Sequence, residues 1–245
     1  MVSFTELWHR CKDNFRFSQQ ELVGIIAIAI ASAFIFSFRD WGAETFDLAL
    51  GMRNLILTLI VIFISLFFRL SLQKVNSLFD GFKAEFKTFW VGIVIALVLA
   101  FITNGRFPII LAGVMITSFM VKLRLGEFRY GHSYQINGVI AFWGIIGNLI
   151  LALLFALGLY LFPENYFFHK GLLFNIIMAW CAMLPLPQLD GLSIFWGWRM
   201  LYYIAIGVVV VFTVLLISQN VIGLIVAWIL AIIAGIVNWL VMSEV

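Results

Sequence analysis

Between Gln135 and Pro163 the chain carries no charged residue, so Ile136 to Phe162 forms one unbroken uncharged run. A run of that length exceeds the roughly 20 residues an α-helix needs to cross a bilayer core, and it is too long for a strand. The pattern recurs along the chain. Leu22 to Phe38 lies between Glu21 and Arg39, Asn54 to Phe68 follows Arg53, and Gly171 to Leu189 runs from Lys170 to Asp190. Met200 to Ile217 starts after Arg199, and Val221 to Met242 precedes the closing SEV. Hydrophobic residues make up 64% of the chain and charged residues 11%, against about a quarter charged in a soluble domain. A water-facing surface cannot be built from this composition. The reading is an integral membrane protein, all-α and polytopic, with about six transmembrane helices.

A separate soluble domain has no room. Residues 1–21 read as an N-terminal tail and 22–245 as a single transmembrane domain. The tail carries both charge signs, and the first apolar run lacks a small-residue cleavage signature, so that run reads as a retained span rather than a removable signal peptide. No internal repeat or low-complexity linker is visible. Between the second and third spans, residues 88–121 hold two apolar stretches broken at Asn104, Gly105 and Arg106, with Pro108 just after. An Asn-Gly turn between apolar runs predicts either a short membrane hairpin or strand-like segments tucked against helices. Irregular backbone at membrane depth is tolerated only where protein covers it or where it lines a cavity, which makes the hairpin a candidate wall of a site.

The basic residues set the expected orientation. With a cytoplasmic N-terminus and a hairpin that returns to its own side, Arg10, Lys12, Arg16, Lys74, Lys83, Lys87, Lys122, Arg124, Arg129 and Arg199 face the cytoplasm. Arg39, Arg53 and Lys170 face the far side, and Arg106 is unassigned. These loops account for the net charge of +3 without a nucleic-acid partner. Cys11 falls in the tail and Cys181 in a span, so no disulfide between them is expected.

The segment MLPLPQLDG supplies Pro185, Pro187, Leu189, Asp190 and Gly191 at the end of an apolar run. It resembles the third motif, N-x-x-P-x-P-x-L-D-G, of the site-2 protease family of intramembrane zinc metalloproteases, whose aspartate is the third zinc ligand. GIIGNLILALLFA, from Gly144 to Ala156, is similar to the family's AGPLxNLLLALLF helix, keeping Gly144 and Asn148 but with Trp143 for the alanine and Ile145 for the proline. GFKAEFKTFWVGIVIALVLAF is similar to the stretch that follows the zinc helix in archaeal members, including Ala84 to Phe86. The resemblance covers about residues 54–199. It implies a site-2 protease-like fold in the plasma membrane of a prokaryote.

Aligned on these elements, the family's H-E-x-x-H-K falls on Arg69, Leu70, Ser71, Leu72, Gln73 and Lys74. Two imidazoles one helical turn apart and a neighbouring carboxylate are what a zinc protease needs to hold its metal and activate water. Here all three are absent, and Ala182 stands for the motif's asparagine. His9, His132 and His169 lack a second histidine at ligand spacing. No G-x-S-x-G elbow or pair of intramembrane aspartates offers another chemistry. The expectation is therefore no metal, no cofactor and no catalytic residue. Arg69, Leu70, Gln73 and Asp190 form a vestigial active site, while Gly144, Asn148, Pro185, Pro187 and Gly191 line a substrate groove or serve structure. The function implied is a pseudoprotease whose partners are membrane proteins or transmembrane helices within the lipid bilayer. A peptidase with an unrecognised site, or a transporter or membrane-complex subunit, is the alternative.

Blander readings stand beside these. Arg69 can be a snorkelling cation at a helix end, and Asp190 with Gly191 a turn after a proline-broken helix. Asn148 and Asn175 can be interhelical glue, and Gly144 with Gly147 a close-packing surface. Lys74 to Lys87 reads as a solvated amphipathic connection. If the implied fold is kept, Arg69 and Asp190 approach one another with opposite charges. A direct ion pair between the span ending at Phe68 and the span ending at Leu189 is then expected.

Overall fold

A computed structural model describes residues 4–42, 46–120 and 133–244, with side chains through residue 233. The elements in order are α1 (Phe4–Asn14), α2 (Gln19–Ser37), α3 (Leu48–Phe79), β1 (Phe82–Thr88), α4 (Trp90–Ile102) and β2 (Gly113–Phe119). They continue with α5 (Tyr134–Leu161), α6 (Tyr166–Met183), α7 (Asp190–Gly197), α8 (Arg199–Ile217) and α9 (Val221–Glu244). Among the described residues α2, α3, α5, α6 and α8 are long and apolar enough to cross a membrane. This is an integral membrane protein and it is mostly helical. It is not all-α, because β1 and β2 pair antiparallel from Phe82 opposite Phe119 to Thr88 opposite Gly113.

Local chemistry sets the helix ends. Ser18 and Glu21 form a reciprocal capping box at the start of α2, Asp47 accepts from the Ala49 and Leu50 amides at the start of α3, and Asn165 accepts from Phe167 N at the start of α6. Helix α3 departs from the expectation of a span ending at Phe68. It continues without a break to Phe79 and stops where Gly81 takes φ +83, the left-handed conformation that favours glycine after a helix. Its last turns keep Leu70, Gln73, Lys74, Ser77 and Leu78 buried, so this stretch is part of the core rather than a solvated connection. Arg69 accordingly lies inside α3 and is buried, not snorkelling at an end.

Strand-like segments are present at the two ends of this stretch, where β1 and β2 pair, and the short helix α4 lies between them. In β1 the buried Phe82, Ala84 and Phe86 alternate with exposed Lys83, Glu85 and Lys87. Helix α4 turns Gly92, Ala96 and Ala100 inward and packs against α2. Asn104 (φ 48) and Gly105 (φ 66) make the turn, and a Cβ on Gly105 would lie 2.9 Å from Phe38 Cβ. The tip thus sits beside the end of α2, while the sheet sits near its start, where Gly24 touches Thr88. From the tip the chain returns through buried Ile110, Leu111 and Ala112 into β2.

Helix α5 is the hub, packing against α3, α6, α7, α8 and α9 and against β2. One apolar cluster joins α2, α3, the hairpin, α5 and α6, and two others fill the spaces among α5, α6 and the C-terminal helices. At the tip end of the bundle Asp40 receives Lys170 Nζ at 2.7 Å and the Tyr166 hydroxyl at 2.7 Å. Asn54 of α3 donates to Asp40 O at 2.8 Å, so Asp40 fastens the α2–α3 connection to both α6 and α3.

Candidate functional site

Asp190 opens α7 after a loop that two prolines force out of helical geometry. Helix α6 ends at Met183, exposed Pro185 and Pro187 follow, and Gln188 takes φ 66 before Leu189 turns inward. Gly191 lets α7 close against the end of α6, since a Cβ there would stand 2.4 Å from Met183 O. The two prolines therefore act by shaping the loop, and Gly191 by removing a side chain. Asp190, only 1% exposed, projects into the centre of the bundle.

Three groups converge on its carboxylate. Arg69 Nη2 forms a direct buried ion pair with Oδ2, Gln73 Nε2 donates to the same oxygen at 3.0 Å, and the Met115 amide of β2 lies 3.4 Å from Oδ1. Arg69 and Gln73 stand one turn apart on α3, which places both on one face. The expected Arg69–Asp190 pair is thus formed. It ties α3 to α7 directly and to β2 through the carboxylate.

Helix α5 supplies the floor. A Cβ on Gly144 would fall 2.3 Å from Gln73 Nε2 and 3.3 Å from Arg69 Nε, and one on Gly147 would fall 3.4 Å from Arg69 Cα. These glycines admit the polar side chains of α3 against the α5 backbone, and Gln73 also donates to Ala141 O at 3.4 Å. Asn148, one turn beyond Gly144, is fully buried, and neither its Oδ1 nor its Nδ2 has a partner among the described residues. Arg69 Nη1 and Asn175 Oδ1 are likewise unpartnered there, while Asn175 Nδ2 donates to Ser65 Oγ at 2.9 Å. Leu70 takes no part in the polar cluster and belongs to the apolar core.

A second buried pair lies further along α3. Lys74 Nζ contacts Glu21 Oε1 at 2.8 Å, Arg16 O at 2.9 Å and Ala84 O at 3.1 Å, and it sits 4.6 Å from the Phe17 ring centroid. Glu21 also accepts from Ser18 N and Phe86 N, both at 2.7 Å. Lys74 was expected to open a solvated connection and instead is almost fully buried. Glu21 and the Met115 amide were not anticipated as partners. The alternation in FKAEFKT is the signal that reveals β1, and with it the strand that meets Lys74 and Glu21.

The donor set does not suit a zinc ion. Among the described residues Asp190 is the one anionic ligand in the cluster, and the groups facing it, a guanidinium, a side-chain amide and the Met115 N–H, donate hydrogen bonds rather than electron pairs. No three His, Cys, Asp or Glu side chains come together among the described residues. His9 lies on α1, His169 on the first turns of α6, and His132 outside the described residues.

The chain is 26% identical over 181 residues to a protein of Methanocaldococcus jannaschii that bears the provisional name zinc metalloprotease; the match covers 72% of this chain and 84% of that protein. That similarity supports a metalloprotease-like relation. No family model matches the chain. No solved structure matches it.

Proposed function

We propose that this protein is a catalytically inactive relative of the site-2 proteases, a pseudoprotease that binds or regulates other membrane proteins without cutting them. In this reading six transmembrane helices and the α4 hairpin form an archaeal-type site-2 protease-like fold, with the N-terminus in the cytoplasm of a prokaryotic cell. The observation that carries it is the Arg69–Asp190–Gln73 cluster. A guanidinium and an amide fill the positions where the resemblance calls for two histidine ligands, so the surviving aspartate pairs with a cation of the protein itself. Arg69, Leu70, Gln73 and Asp190 are then a vestigial active site in which an ion pair replaces the metal as the cross-link between helices. The hairpin from Thr88 to Val121, with its Asn104–Gly105 turn, forms one side of the groove that receives a partner helix.

Three measurements test this directly. Elemental analysis of the purified protein should show no stoichiometric zinc, and a helical membrane substrate should survive incubation with it. About one zinc per chain, or a product that disappears with chelator, would overturn the reading. Photo-crosslinkers placed between Phe107 and Met120 should capture another membrane protein. Capture of lipid alone, at the level given by other bilayer-facing positions, would leave the hairpin purely structural.

A further inference from the structure

Arg10 anchors helix α1 to the end of α3. Arg10 Nη1 donates to Leu78 O at 3.1 Å and Phe79 O at 3.2 Å, the last carbonyls of α3. Beside that anchor α1 holds Leu7 and Cys11 half-buried and leaves Trp8 and Lys12 exposed. It leaves an open groove of about 580 Å³ lined by Leu7, Trp8, Cys11, Lys12 and Phe15, with Val75 of α3 opposite. Spacings of one, three and four residues put the α1 positions on one broad face, and Phe15, whose N–H bonds Cys11 O just past the end of α1, extends it. Apolar cavities of this kind are not stabilised by water, so the groove calls for an apolar occupant.

We propose that it holds one acyl chain of an acidic membrane phospholipid, with the lipid phosphate at Lys12. Three observations favour a lipid. Among the described residues Lys12 is the one charged side chain lining the groove, and Glu6, the acid one turn before Arg10, is engaged by Arg10. The groove is continuous with bilayer-facing surface: Phe15 contacts Phe17 and Phe17 contacts Phe67, and Phe67 heads an exposed stripe of Phe63, Ile60 and Ile56 down α3. The third is Trp8, which is 66% exposed at the rim of the groove, as tryptophans are at the membrane interface.

The test is native mass spectrometry of the full chain in detergent with equal phosphatidylglycerol and phosphatidylcholine added. One phosphatidylglycerol should be retained in preference to phosphatidylcholine. Lys12→Glu should weaken phosphatidylglycerol retention about tenfold and leave phosphatidylcholine unchanged. Val75→Trp, which fills the groove from the α3 side without touching the charge, should lower retention of both lipids. Circular dichroism and thermal melting of each variant report that the helices are intact; should Lys12→Glu lose helix, Lys12→Gln and Val75→Trp carry the decision. Equal retention of the two lipids by the native chain overturns the proposal, as does undiminished phosphatidylglycerol binding in the variants or a co-purified polypeptide in the groove.

Discussion

Helix α3 carries two buried ion pairs little more than one turn apart, and they are finished to different degrees. Lys74 directs its ammonium to Glu21 and to two carbonyls, and Glu21 accepts two further amides. Every strong group in that pair has a partner, and the pair joins the N-terminal segment, α2, α3 and the edge of β1. Arg69 holds Asp190 through Nη2, while its Nη1 has no partner among the described residues, nor does the neighbouring Asn148 amide. A buried charge is costly unless paired and hydrogen-bonded throughout. The closed network is therefore what construction of the fold requires. Under the proposed function, the open one is the vestigial site, kept polar for a purpose other than stability.

The comparison is broken most severely at its closed end. Lys74→Met leaves Glu21 buried without its cation and two carbonyls without a donor, and should cost about 5 kcal/mol, the upper end for breaking a buried pair. Denaturant unfolding in detergent measures it, and a loss below that of Arg69→Leu would show that the closed network is not the stronger. Next come Arg69→Leu and Asp190→Leu. Arg69→Leu should cost about 3 kcal/mol, because Gln73 and the Met115 amide still serve Asp190, and Asp190→Leu about 4 kcal/mol, because the Arg69 guanidinium then loses its acceptor; the double variant should cost only about 1 kcal/mol. Additive losses would mean that the two residues do not act as a pair.

A smaller change sharpens the role of the α5 floor. Gly144→Ala places a methyl 2.3 Å from Gln73 Nε2, so Gln73 must shift away from Asp190 at a cost of about 1 to 2 kcal/mol. A neutral result would show that Gln73 is free to move. The smallest effect is expected at Asn148. With both side-chain atoms unpartnered among the described residues, Asn148→Leu removes unmet polar groups and should change stability by less than about 1 kcal/mol, in either direction. A loss several times larger would reveal that the amide is satisfied by a bound partner.

The cluster was legible only in part. Asp190 stood out because a charge closed an apolar run before a glycine, and Arg69 because a charge followed another such run. Their pairing came through the resemblance to the site-2 proteases, which related two positions far apart in sequence. Gln73 was picked out by the same alignment. Nothing local pointed to Met115, whose backbone amide has no side-chain signature, or to Glu21, which reads in sequence as an ordinary helix-capping residue. Lys74 was misread because its neighbours Val75 to Lys87 look amphipathic, and burial of a lysine depends on whether an acid and free carbonyls happen to face it.

The sequence by itself determined the class of protein and the bounds of α2, α5, α8 and α9. Run length and charge are one-dimensional quantities, and the bilayer imposes a fixed length on any segment that crosses it. It also determined the turn at Asn104–Gly105, since positive φ is a local demand. Only the tertiary structure decided that α3 runs on to Phe79, that residues 82–88 and 113–119 pair as strands, and which polar groups meet in the interior. Each of these depends on what lies opposite. A strand needs its partner's amides and carbonyls, and a buried charge needs its counter-ion, before either conformation becomes favourable.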